Sequence, residues 1–375
     1  MSTNLYSVLA SEFEAIQLPK IVELKNKEWV YYGEDNLFPQ TLVDLFNSSA
    51  IHHTCVLAIK DGIYGEGIET FGSEYVNGKG ETLNEIYEKI ALDYSLYQGF
   101  ALNVIWNVEG TRIAEIYHLP FANVRSGKPN EEDEVEEYFY SSDWRQIKKY
   151  KPHSYRSFDV TDNKGDNASQ VYYCYNYTPG NDVYPLPAYI GALNDIQLDG
   201  RVSKFHNANI SNGLAPSLFI KFRNGIPTPE ERDDLYREIE RTFSGENNAG
   251  RFFLSFSEPG NEMQVEPIQA ANDDYYITLE TRITSRILTS HRITSPLLLG
   301  VKVEGNGFSS NADEIVIAYS HFENTVIEPM RKKVLSNLGY VFKLMGNNVI
   351  LTVIPNKVVN DITGETVIEE TQSEI

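Results

Sequence analysis

Ser295-Pro296-Leu297-Leu298-Leu299-Gly300 is the stretch whose reading decides the fold, because of what flanks it on either side. On its N-terminal side Tyr276, Leu279, Ile283 and Ile287 recur every three or four residues, the spacing of one apolar helix face. Arg282 and Arg286 lie one turn apart on a neighbouring face. Pro296 ends this helix, since a proline pushes the residue before it out of the α region. Gly300, Gly305 and Gly307 then make a glycine-bearing loop to Ser310. On the C-terminal side Asn311 is a cap with Asp313 and Glu314 in the first turn, where the positive end of the helix dipole favours them. Ile315, Tyr319, Phe322, Val326, Met330 and Val334 form the next stripe, and Pro329 falls inside it. An interior proline removes a hydrogen bond and bends the axis, so the spacing predicts a long helix kinked at Pro329.

Four phrases occur here in a fixed order: Leu279-Glu280-Thr281-Arg282, then Ile287 through Gly300, then Phe308-Ser309-Ser310-Asn311, then Asn324-Thr325-Val326-Ile327-Glu328-Pro329. Their order and spacing resemble the portal proteins of tailed bacteriophages, the head-to-tail connector family. In that family a stem helix, a tunnel loop and a kinked helix repeat around a ring through which the genome passes. The resemblance is clear over about residues 185 to 338 and loose before that.

Composition bounds the alternatives. The 375 residues suffice for one to three domains. Twenty-four Tyr and eighteen Phe suit β-rich modules and subunit interfaces. No apolar run reaches the roughly 20 residues that span a bilayer. Met1 to Lys20 lacks the features of a secretory signal, so a cytoplasm-like compartment is expected. Cys55 and Cys174 are too few for a disulfide framework and read as core residues. A net charge of −21 opposes gripping nucleic acid by its phosphates, which takes a basic surface. It suits a channel wall that DNA slides past, and equally plain solubility.

Ahead of the deciding stretch the sequence reads as a mixed α+β domain over residues 1 to 186. Pro39 opens a helix carrying Leu42, Val43, Leu45 and Phe46, and a second helix follows Ser48-Ser49. Thr82 and Glu85 form a capping box for a helix with Ile86, Ile90, Tyr94 and Tyr97 on its apolar face, stopped at Gly99. Alternation from Ala101 to Val108 and back through Ile113, Glu115 and Tyr117, turned at Glu109-Gly110, predicts a hairpin. Val171 to Tyr175 is another strand. The acidic run at 129–142 reads as a solvated loop ending in Tyr138-Phe139-Tyr140. Leu119-Pro120 and Val124-Arg125 form a further portal-like phrase.

Pro185-Leu186-Pro187 opens a helix with two apolar rows, Ile190, Leu193 and Ile196 on one side and Leu198, Val202 and Phe205 on another, implying contact on two faces. A small α/β unit follows. It has a strand at Ser217 to Phe222, a helix capped by Thr228 with Pro229 and Glu231 in its first turn, and strands at 249–256 and 263–268. After Leu338-Gly339 a hairpin over Tyr340–Met345 and Asn348–Ile354 is expected, then an acidic tail.

The resemblance assigns these parts. Residues 1–186 are the α+β wing, 187–213 the first stem helix and 214–270 the clip, with the second stem helix at 271–294. The tunnel loop is 295–310, the kinked helix 311–338, and 339–375 a C-terminal β segment with tail. The crown of many relatives is vestigial here, or the last residues fold back on the wing. Val301, Lys302, Glu304, Asn306 and Phe308 would line the narrowest part of the channel, with Phe308 a bearing surface or a packed wall residue. Arg282, Arg286 and Arg292 would touch DNA phosphates or pair with acidic residues of the next subunit. The implied partners are a ring of about twelve copies, double-stranded DNA in the channel, the terminase large subunit that hydrolyses ATP, the major capsid protein and neck or adaptor proteins. The place is the virion's portal vertex, reached after assembly in the host cytoplasm.

No catalytic constellation is legible, and neither cofactor nor metal is expected. His52, His53 and Cys55 are of metal-ligating types, but adjacent histidines diverge on a helix and no second ligand pair follows. Gly65-Glu66-Gly67 lacks the third glycine of a phosphate loop. Glu131 to Glu137 reads as solvated. Two other classes stay open: a metal-dependent enzyme acting on nucleic acid through the acidic clusters, and a non-portal structural adaptor of a virion.

Overall fold

In the computed structural model, residues 16, 18–211, 218–222, 228, 230, 233, 234, 252–256, 264–267, 273–300 and 312–356 are described. They divide into two compact units, 1–196 with 286–375, and 197–285. The end of the second long helix and all that follows it therefore belong with the N-terminal α+β domain.

The first unit opens with β1 (Ile21–Val22) paired to β2 (Tyr31–Tyr32). Helices α1 (Phe38–Ser48) and α2 (Ala50–Tyr64) follow, with Ser49 capping α2 by accepting from the His52 amide. α3 (Leu83–Tyr97) starts at the expected capping box, with both reciprocal bonds of Thr82 and Glu85 present. Its C-terminal left-handed residue is Gln98, not Gly99. Gly99 instead begins β3, where a Cβ would come within 3.0 Å of Phe121 and the Cys174 carbonyl. It is needed for close packing, not for the cap.

β3 (Gly99–Trp106), β4 (Ile113–Leu119), β5 (Val124–Ser126), β6 (Glu137–Tyr140), β7 (His153–Ser157) and β8 (Ser169–Tyr175) form a sheet of order β4-β3-β8-β7-β6-β5. All pairings are antiparallel except β7 with β8. β3 is buried on both faces from Gly99 to Val104, which is why its polar-apolar alternation is weak. The acidic run is a tight turn whose Asn130 side chain accepts from the Glu132 and Glu134 amides, and it delivers the backbone into β6.

The first long helix, α4 (Leu193–Ser211), begins later than expected, after a 3-10 turn at Ile190–Ala192. The Pro185-Leu186-Pro187 stretch is outside any helix or strand, and the Pro185 carbonyl is taken by the Tyr32 hydroxyl. In the second unit β9 (Leu218–Phe222) lies between β10 (Phe252–Phe256), parallel, and β11 (Gln264–Pro267), antiparallel. A parallel pair requires a crossover. The helix expected after Thr228 falls in that connection, where residues 230, 233 and 234 are helical and the rest lies outside the described residues.

The second long helix is α5 (Asp273–Ser290). α6 (Ala312–Phe322) passes through a π-helical turn at Glu323–Ile327 into α7 (Glu328–Leu344). The irregularity thus lies in the turn preceding Pro329, which itself falls in the first turn of α7. The expected hairpin over 340–354 is not formed: Tyr340 to Leu344 continue α7, and Gly346 at φ 108° ends it. Gly339, read as a stop, sits inside the helix facing Leu351. The following residues fold back on the loop after α2. Glu66 and Glu69 amides donate to the Ile354 and Thr352 carbonyls, and Ile68 bridges Val353. Gly65 there has φ 60°, and a Cβ would lie 2.3 Å from the Ile354 carbonyl oxygen.

Among the described residues no single helix is long and apolar enough to cross a membrane. α1 and α2 satisfy length and composition only as a pair bent by 104°.

Candidate functional site

The 3-10 turn Pro296–Leu299 leads into the segment with the expected channel residues. Val301, Lys302, Glu304, Asn306 and Phe308 themselves lie outside the described residues. What is described is the elbow that holds the base of that segment: the end of α5, residues 291–300, α2 and the π turn.

Ser295 caps the 3-10 turn by accepting from the Leu297 amide, and Gly300 ends it in the left-handed region at φ 73°. Immediately before, His291 is buried against α2. Its Nε2 lies 2.9 Å from His52 Nδ1, and Tyr189 packs against both rings, T-shaped to His52 and stacked on His291. One ring donates across this contact and the other accepts, an arrangement that two neutral imidazoles of opposite tautomer satisfy. Burial drives both pKa values down from 6.5, to about 3 for His52 and about 4 for His291, and at His52 the two neighbouring histidines add to it. His53 turns away to stack on Phe46 and bond its carbonyl. Cys55 is fully buried, its thiol pushed up to about 12 by burial. The histidines thus diverge as adjacent helical residues must.

Arg292 follows His291 with φ 60°, a strained conformation for a residue with a Cβ. Its Nη2 donates to the Thr325 carbonyl at 2.9 Å. Thr325 is four residues before Pro329, so its carbonyl is the one that the proline leaves without a helical donor. On the other side of the π turn, Arg331 forms an ion pair with Glu323 at 2.6 Å, both side chains largely buried. The same guanidinium donates to the Gly62 and Ile63 carbonyls, which the end of α2 leaves without amide partners. Gly62 meets Ile327 so closely that a Cβ would lie 2.7 Å from Cδ1. The π turn is therefore gripped by α2 on one side and by Arg292 on another.

Arg286 pairs with Asp195 of its own protomer at 3.2 Å while 71% exposed. Such a pair contributes little stability. Arg282 is exposed on α5. Within the second unit His206 Nε2 of α4 lies 3.2 Å from Glu280 Oε1 of α5.

Sequence reasoning missed one residue of consequence. Arg125 is completely buried, with no carboxylate partner among the described residues. Nε donates to Asn36 Oδ1, Nη1 to the Ala122 and Val124 carbonyls, and Nη2 to the Asn36 carbonyl and Gln40 Oε1, all within 3.0 Å. Trp144 lies 4.8 Å away over the guanidinium. Burial lowers its pKa to about 10, which still leaves it charged at neutral pH. The only signal was the Val124-Arg125 phrase itself, since a buried arginine without an acid has no periodic signature.

No metal-binding group of three or more His, Cys, Asp or Glu occurs among the described residues. No protein-family model matches the sequence. An uncharacterised protein of Rickettsia bellii is 29% identical over 182 residues, 48% of this chain and 45% of the relative. One of Rickettsia felis is 28% identical over 182 residues, 47% and 45%. The matched region spans less than half the length of these curated relatives.

Among solved structures, one from the virion of a native gene transfer agent particle matches over 84% of both chains, with a TM-score of 0.56 and 17% identity. A subunit from the neck of the native particle, computed with C12 symmetry, matches over 85% of this protein and 84% of that one, at 0.55 and 17%. One from the neck of the empty particle, computed with C6 symmetry, matches over 88% and 87%, at 0.55 and 16%. The fold is shared with these gene transfer agent virion and neck structures. Its mixed helix and sheet content is the α+β class expected from the sequence.

Proposed function

We propose that this chain is a portal protein. It assembles as a ring at one capsid vertex, forms the channel for packaging and ejection of double-stranded DNA, and docks the terminase large subunit and later the neck and tail proteins. The observation that carries the reading is the agreement between sequence order and fold. A helix, a small sheet inserted after it, a second helix, the elbow and a third helix interrupted by a π turn follow one another along the sequence. Subunits in the neck of a gene transfer agent particle share that fold over more than four-fifths of both lengths.

In this reading α4 and α5 are the stem, 214–270 the clip, and α6 with α7 the kinked helix. Val301, Lys302, Glu304, Asn306 and Phe308 line the channel, and Arg282, with Arg286 exposed beside it, faces DNA or the next subunit. A cyclic ring repeats one heterologous interface until it closes. About twelve copies, the symmetry of the native neck, carry roughly −250 charges, which keeps the wall from binding phosphates. The protein acts without catalysis of its own, assembles in the host cytoplasm, and meets the major capsid protein at the vertex.

Electron-microscopy class averages of the purified full-length protein, viewed down the symmetry axis, test the reading. Rings with a central hole wide enough for duplex DNA are expected. Closed discs without a hole would indicate an adaptor instead.

A further inference from the structure

Two patches of opposite charge flank β6 in the first unit, one at each end. The register sets Glu137 opposite Arg156, and Tyr140 opposite Val124 and His153, so the β5–β6 turn and the β6–β7 connection leave the sheet at opposite ends. The turn carries Glu131, Glu132, Asp133 and Glu134, all exposed. Asn130 fixes it by accepting from the Glu132 and Glu134 amides, and the four carboxylates have no ion pair among the described residues. Neighbouring cations are engaged elsewhere. The Lys128 ammonium donates to the Leu24 carbonyl at 2.7 Å, and Lys27 lies over the Trp29 ring.

The β6–β7 connection is anchored as well. Trp144 and Ile147 pack with Trp29 and Phe139, Trp144 Nε1 donates to the Asn123 carbonyl, and Ser141 Oγ donates to the Tyr150 carbonyl. On that base Lys148, Lys149 and Lys151 are exposed, and none has an ion pair among the described residues. Nearby acids are already used: Asp44 pairs with Arg145, and Asp143 accepts from the Arg145 amide and the Gln146 side chain. Copies of a chain with net charge −21 repel one another, yet at physiological ionic strength charges more than about 8 Å apart are largely screened. The groups directly across a contact therefore decide whether it forms.

We propose that Lys148, Lys149 and Lys151 of one protomer receive the acidic turn, Glu131 to Glu134, of the next copy. Each protomer then offers a different patch to each neighbour, the head-to-tail complementarity that a closed ring requires. Because the backbone of both patches is already fixed, little ordering is left for the encounter. Charge contacts of this kind steer association and fix register, and like charges in their place repel. The inference deepens the ring reading and rests on it.

The test is mass photometry of full-length charge-reversal variants beside the wild type. One set is Lys148→Glu, Lys149→Glu, Lys151→Glu, the other is Glu131→Lys, Glu132→Lys, Glu134→Lys, and a third protein combines them. Asp133 is kept because its φ is 60°. Either set alone is expected to lower the ring fraction at a given concentration about tenfold or more. The second set moves the net charge from −21 to −15, two charges for each reversal, a change that general repulsion alone would turn into stronger assembly. The combined protein is expected to form rings again, and so is an equal mixture of the two single sets, in which each reversed patch meets its opposite on the other species. Should a reversed set fail to fold, glutamine at the same positions replaces it, with a smaller loss expected in the same direction. Rings undiminished in either set, or losses that neither combination nor mixture repairs, would overturn this inference alone. Rings kept in the lysine set together with lost binding of duplex DNA would overturn it too, by assigning the segment to DNA. A wild-type protein that stays monomeric would overturn the ring reading and this inference with it.

Discussion

Arg292 donates its Nη2 hydrogen to the carbonyl of Thr325, the acceptor that Pro329 has deprived of its helical amide. A side chain from the end of one helix thus completes the ladder of another. Arg292→Ala is expected to cost about 1 kcal/mol, the net value of one such bond. In a Pro329→Ala background the restored amide competes for Thr325, so the same change costs less than half as much. A double-mutant cycle by urea denaturation reads the difference, and equal costs in both backgrounds would contradict the relationship.

The His52–His291 pair makes stability depend on pH. Folding holds both rings neutral, with pKa values near 3 and 4 against 6.5 in the unfolded state. The unfolded state therefore binds more protons below pH 6.5. The stabilisation is complete above that pH and is lost as pH falls toward about 4, at up to about 1.4 kcal/mol per pH unit for each histidine. Melting temperatures between pH 5 and 7, where most carboxylates stay ionised, are expected to fall with acidity. The slope should be shallower in His291→Asn.

Arg125 cannot be replaced by lysine. A single ammonium on a flexible stem reaches only some of the five acceptor contacts around the guanidinium, leaving buried carbonyls and Asn36 unsatisfied. Arg125→Lys is expected to destabilise by about 3 kcal/mol or more, read as a lower urea midpoint. A loss under about 1 kcal/mol would contradict the account of that site.

Gly62 and Ile327 mark the contact of α2 with the π turn. Alanine at position 62 gains up to about 1 kcal/mol of helix propensity. It meets Ile327 Cδ1 at 2.7 Å and Cγ2 at 3.1 Å, and Ile327 is too buried to move aside, an overpacking cost of about 1–3 kcal/mol. Gly62→Ala is therefore expected to lose about 1 kcal/mol overall. Ile327→Val removes Cδ1, the nearest methyl, but keeps Cγ1 at 2.9 Å, so it should recover only part of that loss in the double variant.

The elements legible in the sequence were those with local signals: the Thr82–Glu85 capping box, the β3–β4 hairpin, the three helices around Pro296 and Pro329. Where tertiary contacts decide, the reading failed. Tyr340 to Leu344 read as a strand ahead of a turn at Gly346-Asn347, yet α7 carries them as helix, with Val341 and Phe342 buried and Gly339 leaving room for Leu351. The π turn has no composition of its own, and only the proline nearby hinted at irregularity. At the elbow, His291 and Arg292 acquire their roles from His52 and Thr325, distant in sequence by 239 and 33 residues. No spacing rule could pair them.

The central claim is a closed ring, and mass photometry of the purified full-length protein tests it most directly. Twelve copies of a 42.6 kDa protomer give a particle of about 510 kDa, which the account predicts as the dominant species at nanomolar concentration. A single population near 43 kDa, unchanged on raising the concentration, would contradict it.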